Sequence, residues 1–312
     1  MNVSILIPCF NASRFILATL DSAIQNLESG DDIVLVDDHS NDDSMTKAAE
    51  FLERSSIEYQ IETNPDKGAC AARNHALSLA KGDLIQWLDA DDLLGATKVA
   101  TQRQHLHQGG KALVVSPYQS FVGKAGDLNE NKKCDWAALS QPSPADWLAS
   151  ENEAVLHCWL GNREVFEAAG PWDTSLQVNQ DGEYLVRALA AAEELHLETR
   201  VYVHYRRGIP GSVSRFTREK APSLFQSVHS IHKTALSIEN SPRMRQMIAN
   251  RYQHAIYSAY PHCPEGIREV KMQLASLPKP TIQNPQTISR KSKLFSSIFG
   301  WKALSRIRQW RG

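Results

Sequence analysis

Within the first 90 residues, apolar runs alternate four times with stretches of helical spacing, a rhythm that commits the chain to βαβ units and a mostly parallel, doubly wound sheet. Residues 3–7 read as a strand, followed by Ile16, Leu20, Ala23, Ile24 and Leu27 on one helical face, with Asn11 or Ser13 as a cap and Gly30 as the stop. A second strand is expected at 33–36, then a helix through Met45, Ala48, Ala49 and Leu52 behind a Ser/Asp-rich cap region at 40–44. Ile57, Tyr59 and Ile61 alternate with Glu58, Gln60 and Glu62, the period of a half-exposed strand. Ala72, Ala76, Leu79 and Ala80 predict a third helix closed by Gly82, and 84–88 a fourth strand.

That last strand runs straight into Asp89, Asp91 and Asp92. In open α/β sheets ligands bind at the carboxyl ends of strands. Carboxylates crowded there raise one another's pKa unless a cation or donors compensate. Mg²⁺ or Mn²⁺ together with phosphate oxygens is the natural compensator, since hard cations prefer oxygen ligands. The first and second strands also end in polar groups, Pro8 to Asn11 and Asp37-Asp38, so a nucleotide crevice is expected at one sheet edge. It is not a dinucleotide or P-loop site, because neither G-x-G-x-x-G nor G-x-x-x-x-G-K-[ST] occurs.

Composition narrows the class further. The formal net charge is −1 and no basic stripe with interleaved aromatics precedes the tail, which argues against a nucleic-acid partner. The five cysteines are scattered without a C-x-x-C pair, so neither a disulfide framework nor a zinc site is indicated. With a strand expected directly after Met1-Asn2, and neither a basic n-region nor a long h-region, a secretory leader is not expected, and no stretch approaches the ~18 to 20 apolar residues of a membrane span. A cytoplasmic protein is therefore expected. Beyond residue 97 the order is less regular: a helix at 97–107, a strand at 112–116, a Gly/Asn/Lys-rich loop at 123–133, a helix at 180–192, a strand at 200–205 and helices over 223–275.

The residues resemble the family 2 glycosyltransferases, nucleotide-sugar enzymes of the GT-A fold. The resemblance rests on an ordered set: residues 3–11, then 33–38 with Ser40, then Lys67-Gly68 leading into Ala72-Arg73-Asn74, then Asp89-Ala90-Asp91-Asp92. Further on, Gly170-Pro171-Trp172-Asp173 and Gln180-Asp181-Gly182-Glu183-Tyr184 look like the family's acceptor-side segment. The likeness, which fades beyond about residue 216, implies a GT-A catalytic domain at 1–220; the residues after it read by themselves as a helical subdomain at 221–276 and a Pro-containing linker with a basic amphipathic tail at 277–312.

By the same resemblance Asp38 would accept from the N3 hydrogen of a uracil ring, the local alternative being a helix cap. Pro8 and Asn11 would line the nucleoside, Asp89 would face the ribose, and Asp91 would hold the metal, Mn²⁺ or Mg²⁺. Lys67, Gly68 and Arg73 stand where a helix start favours anions, although Arg73 could equally pair with a strand-end Asp. Asp181 matches the catalytic base of inverting transfer, with Glu183 as competitor; here Gln180-Asp181 replaces the usual Glu-Asp. Trp172 and Trp159 are sugar platforms or core. Arg206, Arg207, Ser212 and Ser214 match a late loop that folds over the diphosphate, or form an exposed basic turn. The histidines, by default surface imidazoles, show no metal-site spacing.

The implied activity is metal-dependent inverting transfer from a nucleotide diphosphate sugar, uridine-based, to a hydroxyl of a glycan or lipid-linked acceptor in cell-surface polysaccharide synthesis. A non-catalytic nucleotide-sugar binding protein and a sugar nucleotidyltransferase are the alternatives. Finally, Arg290, Lys291, Lys293, Lys302, Arg306, Arg308 and Arg311 occur without an acidic residue among Leu294, Phe295, Ile298, Phe299, Trp301, Leu304, Ile307 and Trp310. One helix here would set Leu294, Ile298, Trp301 and Leu304 on a face suited to an anionic membrane surface, or would pack on the domain.

Overall fold

The structure is a computed structural model describing residues 1–123, 136, 139, 141–209, 216–284 and 290–310. The chain divides into two compact units, one of residues 1–147, 152–174 and 187–210, the other of residues 148–151, 175–186 and 211–312.

In the first unit β1 (Val3–Cys9), β2 (Asp32–Asp37), β3 (Glu58–Thr63) and β4 (Leu84–Trp87) alternate with α1 (Ile16–Ile24), α2 (Ser44–Leu52) and α3 (Ala69–Leu79). β1, β2 and β4 are almost wholly buried, as strands covered on both faces must be, whereas β3 keeps the exposed residues its alternation foretold. The chain continues through β5 (Leu93–Leu94), α4 (Lys98–Arg103), β6 (Ala112–Val115), β7 (Tyr118–Phe121), α5 (Pro144–Ala149), β8 (Trp159–Asn162) and α6 (Arg163–Ala168). α7 (Gln180–Ala191), β9 (Glu194–Leu197) and β10 (Val203–Arg206) follow.

A seven-stranded sheet has the order β3-β2-β1-β4-β8-β6-β9, and β5, β10 and β7 form a smaller sheet. β1 pairs in parallel with β2 and β4, so the strand order reverses beside it. β8 is the exception in direction, antiparallel to both β4 and β6.

The return into β4 is tight. Ser4 Oγ donates to Asp32 Oδ1 at 2.5 Å and accepts from the Gly82 N–H at 2.8 Å. A Cβ on Gly82 would come within 2.4 Å of the Ser4 nitrogen, so only glycine lets α3 turn into β4 here. The expected caps differ. α1 and α2 have no side-chain cap bond, because Asn11, Ser40, Asp42 and Ser44 instead tie the β1 and β2 loops together. Of the described cysteines, Cys9, Cys70 and Cys158 are buried and Cys263 is partly buried.

Lys98 is an unexpected buried cation, 0% exposed, its ammonium donating to Gln86 Oε1. Burial pulls its pKa down to about 7. The unfolded chain therefore binds a proton that the native state releases between about 7 and the ordinary 10.5, so stability should climb with pH across that window. Urea titrations from pH 7 to 9 should show a rise of up to ~1.4 kcal/mol per unit, and Lys98→Met should flatten it. An unchanged slope in the variant would mean that another group titrates.

The second unit is built on α8 (Ala221–Ile238), α9 (Pro242–Ala259) and α10 (Pro264–Leu274). Tyr252, 0% exposed on α9, ties α9 to α8 by hydroxyl contacts to His229 Nδ1 at 2.9 Å and His232 Nδ1 at 2.8 Å. The Pro-containing stretch expected as a linker lies on α9: Thr281 N donates to Asn250 Oδ1 at 2.8 Å and Gln246 Nε2 to the Lys279 carbonyl at 3.0 Å.

The tail is two helices rather than one, α11 (Arg290–Phe299) and α12 (Trp301–Trp310), broken at Gly300, whose φ of 75° ends α11. This corrects the single apolar face drawn through Leu294, Ile298, Trp301 and Leu304. Among the described residues no helix is long and apolar enough to cross a membrane.

Candidate active site

Three strand ends meet at the carboxyl edge of the large sheet where the strand order reverses. Cys9 is paired with Asp37, and the Asp38 N–H donates to the Cys9 carbonyl at 2.7 Å, so the β1 and β2 loops leave the sheet side by side. On the other flank Leu6 is paired with Trp87, and Leu88 donates to the Leu6 carbonyl at 3.0 Å, which carries Asp89 out at the same edge. Pro8, half-buried in β1, pairs with Val36, and Asn11 adopts a φ of 49° just beyond the strand.

Asp38 is 8% exposed, and α2, the helix that follows its strand, has no side-chain cap bond. The Asp38 carboxylate accepts from Asn64 Nδ2 at 2.8 Å and from the Gly68 N–H at 2.8 and 3.0 Å. Gly68 stands at the start of α3 with a φ of 110°, a conformation that strains any side chain, while its α-carbon faces open space. Lys67 beside it is exposed. Asn64 was not foreseen; nothing in its own neighbourhood of sequence marks it, since its role depends on β3 ending beside β2.

Arg73, on α3, is 6% exposed and donates from Nη2 to Asp89 Oδ1 at 2.9 Å. Its guanidinium lies 4.7 Å from the Trp172 ring centroid. Of the two readings open for Arg73, the structure supplies the partner of a strand-end Asp. Trp172 is 2% exposed, edge-on to Trp87 at 5.4 Å, with its backbone bonded in both directions to Asn74. That corrects the expectation of a sugar platform: a ring so enclosed has no face to offer. Trp159, 1% exposed, is likewise core.

The acidic turn is crowded and fastened from several sides. Thr19 Oγ1 donates to the Ala90 and Asp92 carbonyls, each at 2.9 Å. Arg206 Nε donates to the Asp91 carbonyl at 2.7 Å and the Arg206 N–H to Asp92 Oδ1 at 2.6 Å. The Arg206 guanidinium sits 4.7 Å from the Phe15 centroid and 4.4 Å from that of Phe121. Arg206 is thus a buried residue of β10, 8% exposed, which corrects its placement on a loop over the diphosphate. Arg207 is exposed, its backbone donating to Phe121 at 2.8 Å and its guanidinium 5.6 Å from the Tyr205 ring. Ser212 and Ser214 lie outside the described residues, as does nearly all of the loop expected at 123–133.

Burial and then the neighbouring Asp89 push the Asp91 carboxyl up to about 6, with Arg206 and Arg73 pulling the other way. Asp92, 1% exposed, is raised well above the usual range by burial and by Asp91 and Asp89. Behind it His157, 0% exposed, points Nδ1 at Asp92 Oδ2 across 3.4 Å. Burial drops the imidazole to about 3, so the contact is with a neutral ring and is not an ion pair. Oxygens of Asp89 and Asp92 and a ring nitrogen of His157 lie within 4.8 Å of one another. Asp92 Oδ2 and both His157 ring nitrogens lack a hydrogen-bond partner.

Asp91 and Asp92 with raised pKa values, and an Asp92 Oδ2 left without a hydrogen-bond partner, mark a place that gains from a cation, so the donor set fits a divalent ion; oxygen ligands suit Mg²⁺ or Mn²⁺, and an imidazole favours Mn²⁺ between them. His157 corrects the assumption that the histidines are surface groups. Only the antiparallel insertion of β8 beside β4 brings it there.

Asp181 belongs to the second unit, partly buried in the first turn of α7. Its surroundings are well anchored: Asn179 Nδ2 donates to Ser227 Oγ at 3.0 Å and the Glu183 N–H to the Asn179 carbonyl at 3.1 Å. Glu183, the competing carboxylate, is 3% exposed and accepts from Ser230 Oγ at 2.7 Å, a packing role on α8. Gln180, standing where the family has a glutamate, donates to the Leu176 carbonyl at 2.6 Å.

Residues 4–170 match the profile described as "Glycosyl transferase family 2". The chain belongs to that family. Among curated relatives, the UDP-Glc:alpha-D-GlcNAc-diphosphoundecaprenol beta-1,3-glucosyltransferase WfaP of Escherichia coli is 38% identical over 100 residues, 32% of this chain and 39% of WfaP. The matched stretch is thus well under half of that relative's length. S. aureus TarS 1-349 in complex with UDP-GlcNAc superposes with a TM-score of 0.68 at 13% identity, covering 89% of this chain and 82% of that 1-349 chain. The mannosyltransferase PcManGT of Pyrobaculum calidifontis, in complex with GDP-Man and Mn²⁺, gives 0.56 at 15% identity, covering 98% of this chain and 86% of its own. These likenesses show the GT-A architecture with its mostly parallel sheet and a helical C-terminal part.

Proposed function

We propose that the protein is a metal-dependent, inverting glycosyltransferase that moves a sugar from a UDP-sugar to a hydroxyl of a glycan or lipid-linked acceptor in cell-surface polysaccharide synthesis. One observation carries the reading: Asp38 after β2 and the Asp89 to Asp92 turn after β4 flank the end of β1 at a strand-order reversal, the place where a doubly wound sheet takes a nucleotide. Asp38, already oriented by Gly68 and Asn64, would accept from the uracil ring. Pro8 and Asn11 would line the nucleoside, with Lys67 at the start of α3 as a cation near phosphate. Asp89 would face the ribose, Asp91 would hold Mn²⁺ or Mg²⁺, and Asp92 with His157 would support that site from behind. The cation, when bound, neutralises charge developing on the departing nucleotide. Asp181 would take the proton from the attacking hydroxyl.

The relative WfaP, whose name records UDP-Glc and a diphosphoundecaprenol-linked acceptor, supports a uridine donor and a lipid-linked acceptor. TarS with UDP-GlcNAc supports the same donor class. On this reading the protein works in the cytoplasm, peripheral to the membrane that holds such acceptors, with its catalytic domain within 1–220.

A thermal-shift panel of UDP-glucose, UDP-GlcNAc and GDP-mannose, with and without Mn²⁺, tests it. A UDP-sugar at 100 times its Kd should add about 2.7 kcal/mol of stability, and UDP should be released when acceptor is supplied. Preference for GDP-mannose would overturn the donor assignment, and binding without turnover would favour a non-catalytic nucleotide-sugar binding protein.

The cation's effect should depend on pH. Proton and metal compete for Asp91, which titrates at about 6, so Mn²⁺-induced stabilisation should shrink as pH falls through 6 and level off above it. In metal-free protein the sign reverses. The native state holds this proton more tightly than the unfolded chain, so the group's contribution to stability falls as pH rises from 3.8 to about 6. Melting curves at pH 5 and 7.5, with Mn²⁺ and with EDTA, check both; an Mn²⁺ shift that is larger at pH 5 would contradict the assignment.

A further inference from the structure

The two tail helices share a composition but not a fate. α12 is docked within the second unit: Trp301 meets Tyr257 edge-on at 4.9 Å and Tyr260 at 5.1 Å, Leu304 is 9% exposed, and the 1%-exposed Ser305 donates to the Tyr260 carbonyl at 3.2 Å. The Arg306 guanidinium lies 5.8 Å from the Tyr260 centroid. α11 instead keeps Leu294 at 65%, Ile298 at 66% and Phe299 at 63% exposure, three of the most exposed large apolar residues described. Leu294 and Ile298 are four residues apart and so share a helix face. Isolated exposed apolar groups need no explanation, but a contiguous set on one helix does.

The charge around that face says what should cover it. Residues 290, 291, 293 and 302 are cations, and no acidic residue occurs after Glu269. The whole chain is at −1, so the tail's positive charge stands against a net acidic remainder and is not part of a general basicity. An exposed apolar pair on a segment whose sequence holds Lys and Arg and no acidic residue suits an anionic bilayer, whose acyl chains can take the apolar groups and whose phosphates can take the positive charge.

We propose that α11 is a lipid-surface anchor whose occupant is an anionic bilayer, with α12 as the bracket that fixes it to the second unit and Gly300 as the joint between them. The proposal does not depend on the catalytic reading, and its test contains no nucleotide sugar.

Full-length protein should co-sediment with phosphatidylcholine vesicles containing phosphatidylglycerol and much less with phosphatidylcholine alone, and raising salt should weaken the binding. Leu294→Glu with Ile298→Glu should lower the partition coefficient about tenfold or more while leaving the melting temperature unchanged, because neither side chain is packed. Trp301→Ala, which removes the bracket, should lower the melting temperature. Equal sedimentation of parent and double variant would overturn the proposal. So would a melting temperature that drops in the double variant, which would mean that α11 is packed in solution. A parent dimer in light scattering that becomes monomeric in the double variant, with no vesicle binding in either, would assign the face to a second copy of the chain.

Discussion

Asp91→Asn is expected to lower sugar transfer by about 10³-fold or more, the several kcal/mol that a divalent ion supplies as a Lewis acid. The same substitution should raise the melting temperature of the metal-free protein. Asp91 is held at about 6 by burial and by Asp89, so at pH 7.5 the folded state bears the cost of ionising it, and an isosteric amide removes that cost. Stability gained with activity lost separates a metal ligand from a structural acid. Mn²⁺ should no longer shift the variant's melting curve as it does the parent's, and UDP binding should lose its cation dependence. Transfer at the parental rate would refute the assignment. Asp92→Asn makes the instructive contrast, since its carboxylate accepts from the Arg206 N–H at 2.6 Å and ties the small sheet to the acidic turn.

Asp181→Asn should leave donor binding and melting temperature near parental values while kcat falls by ~10² to 10⁴, the usual worth of a positioned general base. Bonds from Asn179 to Ser227 and from Ser230 to Glu183 fasten the first turn of α7 on either side of Asp181. Donor affinity and kcat measured separately with saturating Mn²⁺ decide the matter. A collapse in affinity with kcat intact would reassign Asp181 to donor binding. Glu183→Gln, by contrast, should act on stability, because its side chain is buried against α8.

Much of the sheet was legible because buried parallel strands and their crossover helices carry local signals: β1 to β4 and α1 to α3 fall where runs of Val, Ile and Leu alternate with helical spacing. The expected strand at 112–116 and the helix at 180–192 appear as β6 and α7. β5, β7, β8 and β9 were not read, being only two to four residues long and dependent on neighbours distant in sequence. The acidic turn and Asp38 announced themselves, since polar residues at the ends of buried strands demand a reason. Asn64 and His157 did not.

Local chemistry thus determined the alternation of strands and helices, the edge at which carboxylates gather, and the unbalanced charge of the tail. Those properties follow from periodicity and side-chain type, which need no knowledge of the partner. Tertiary structure alone decided which neighbour each polar group answers to. Arg73 was free on paper to meet a phosphate and instead meets Asp89 under Trp172; Arg206 became a buried clamp because β10 lies between β5 and β7. It also divided one basic, aromatic tail into a docked helix and an exposed one, since the Tyr257 and Tyr260 rings that receive Trp301 lie on a different stretch of chain. Pairing between residues remote in sequence is set by packing, and packing is a property of the whole assembled fold.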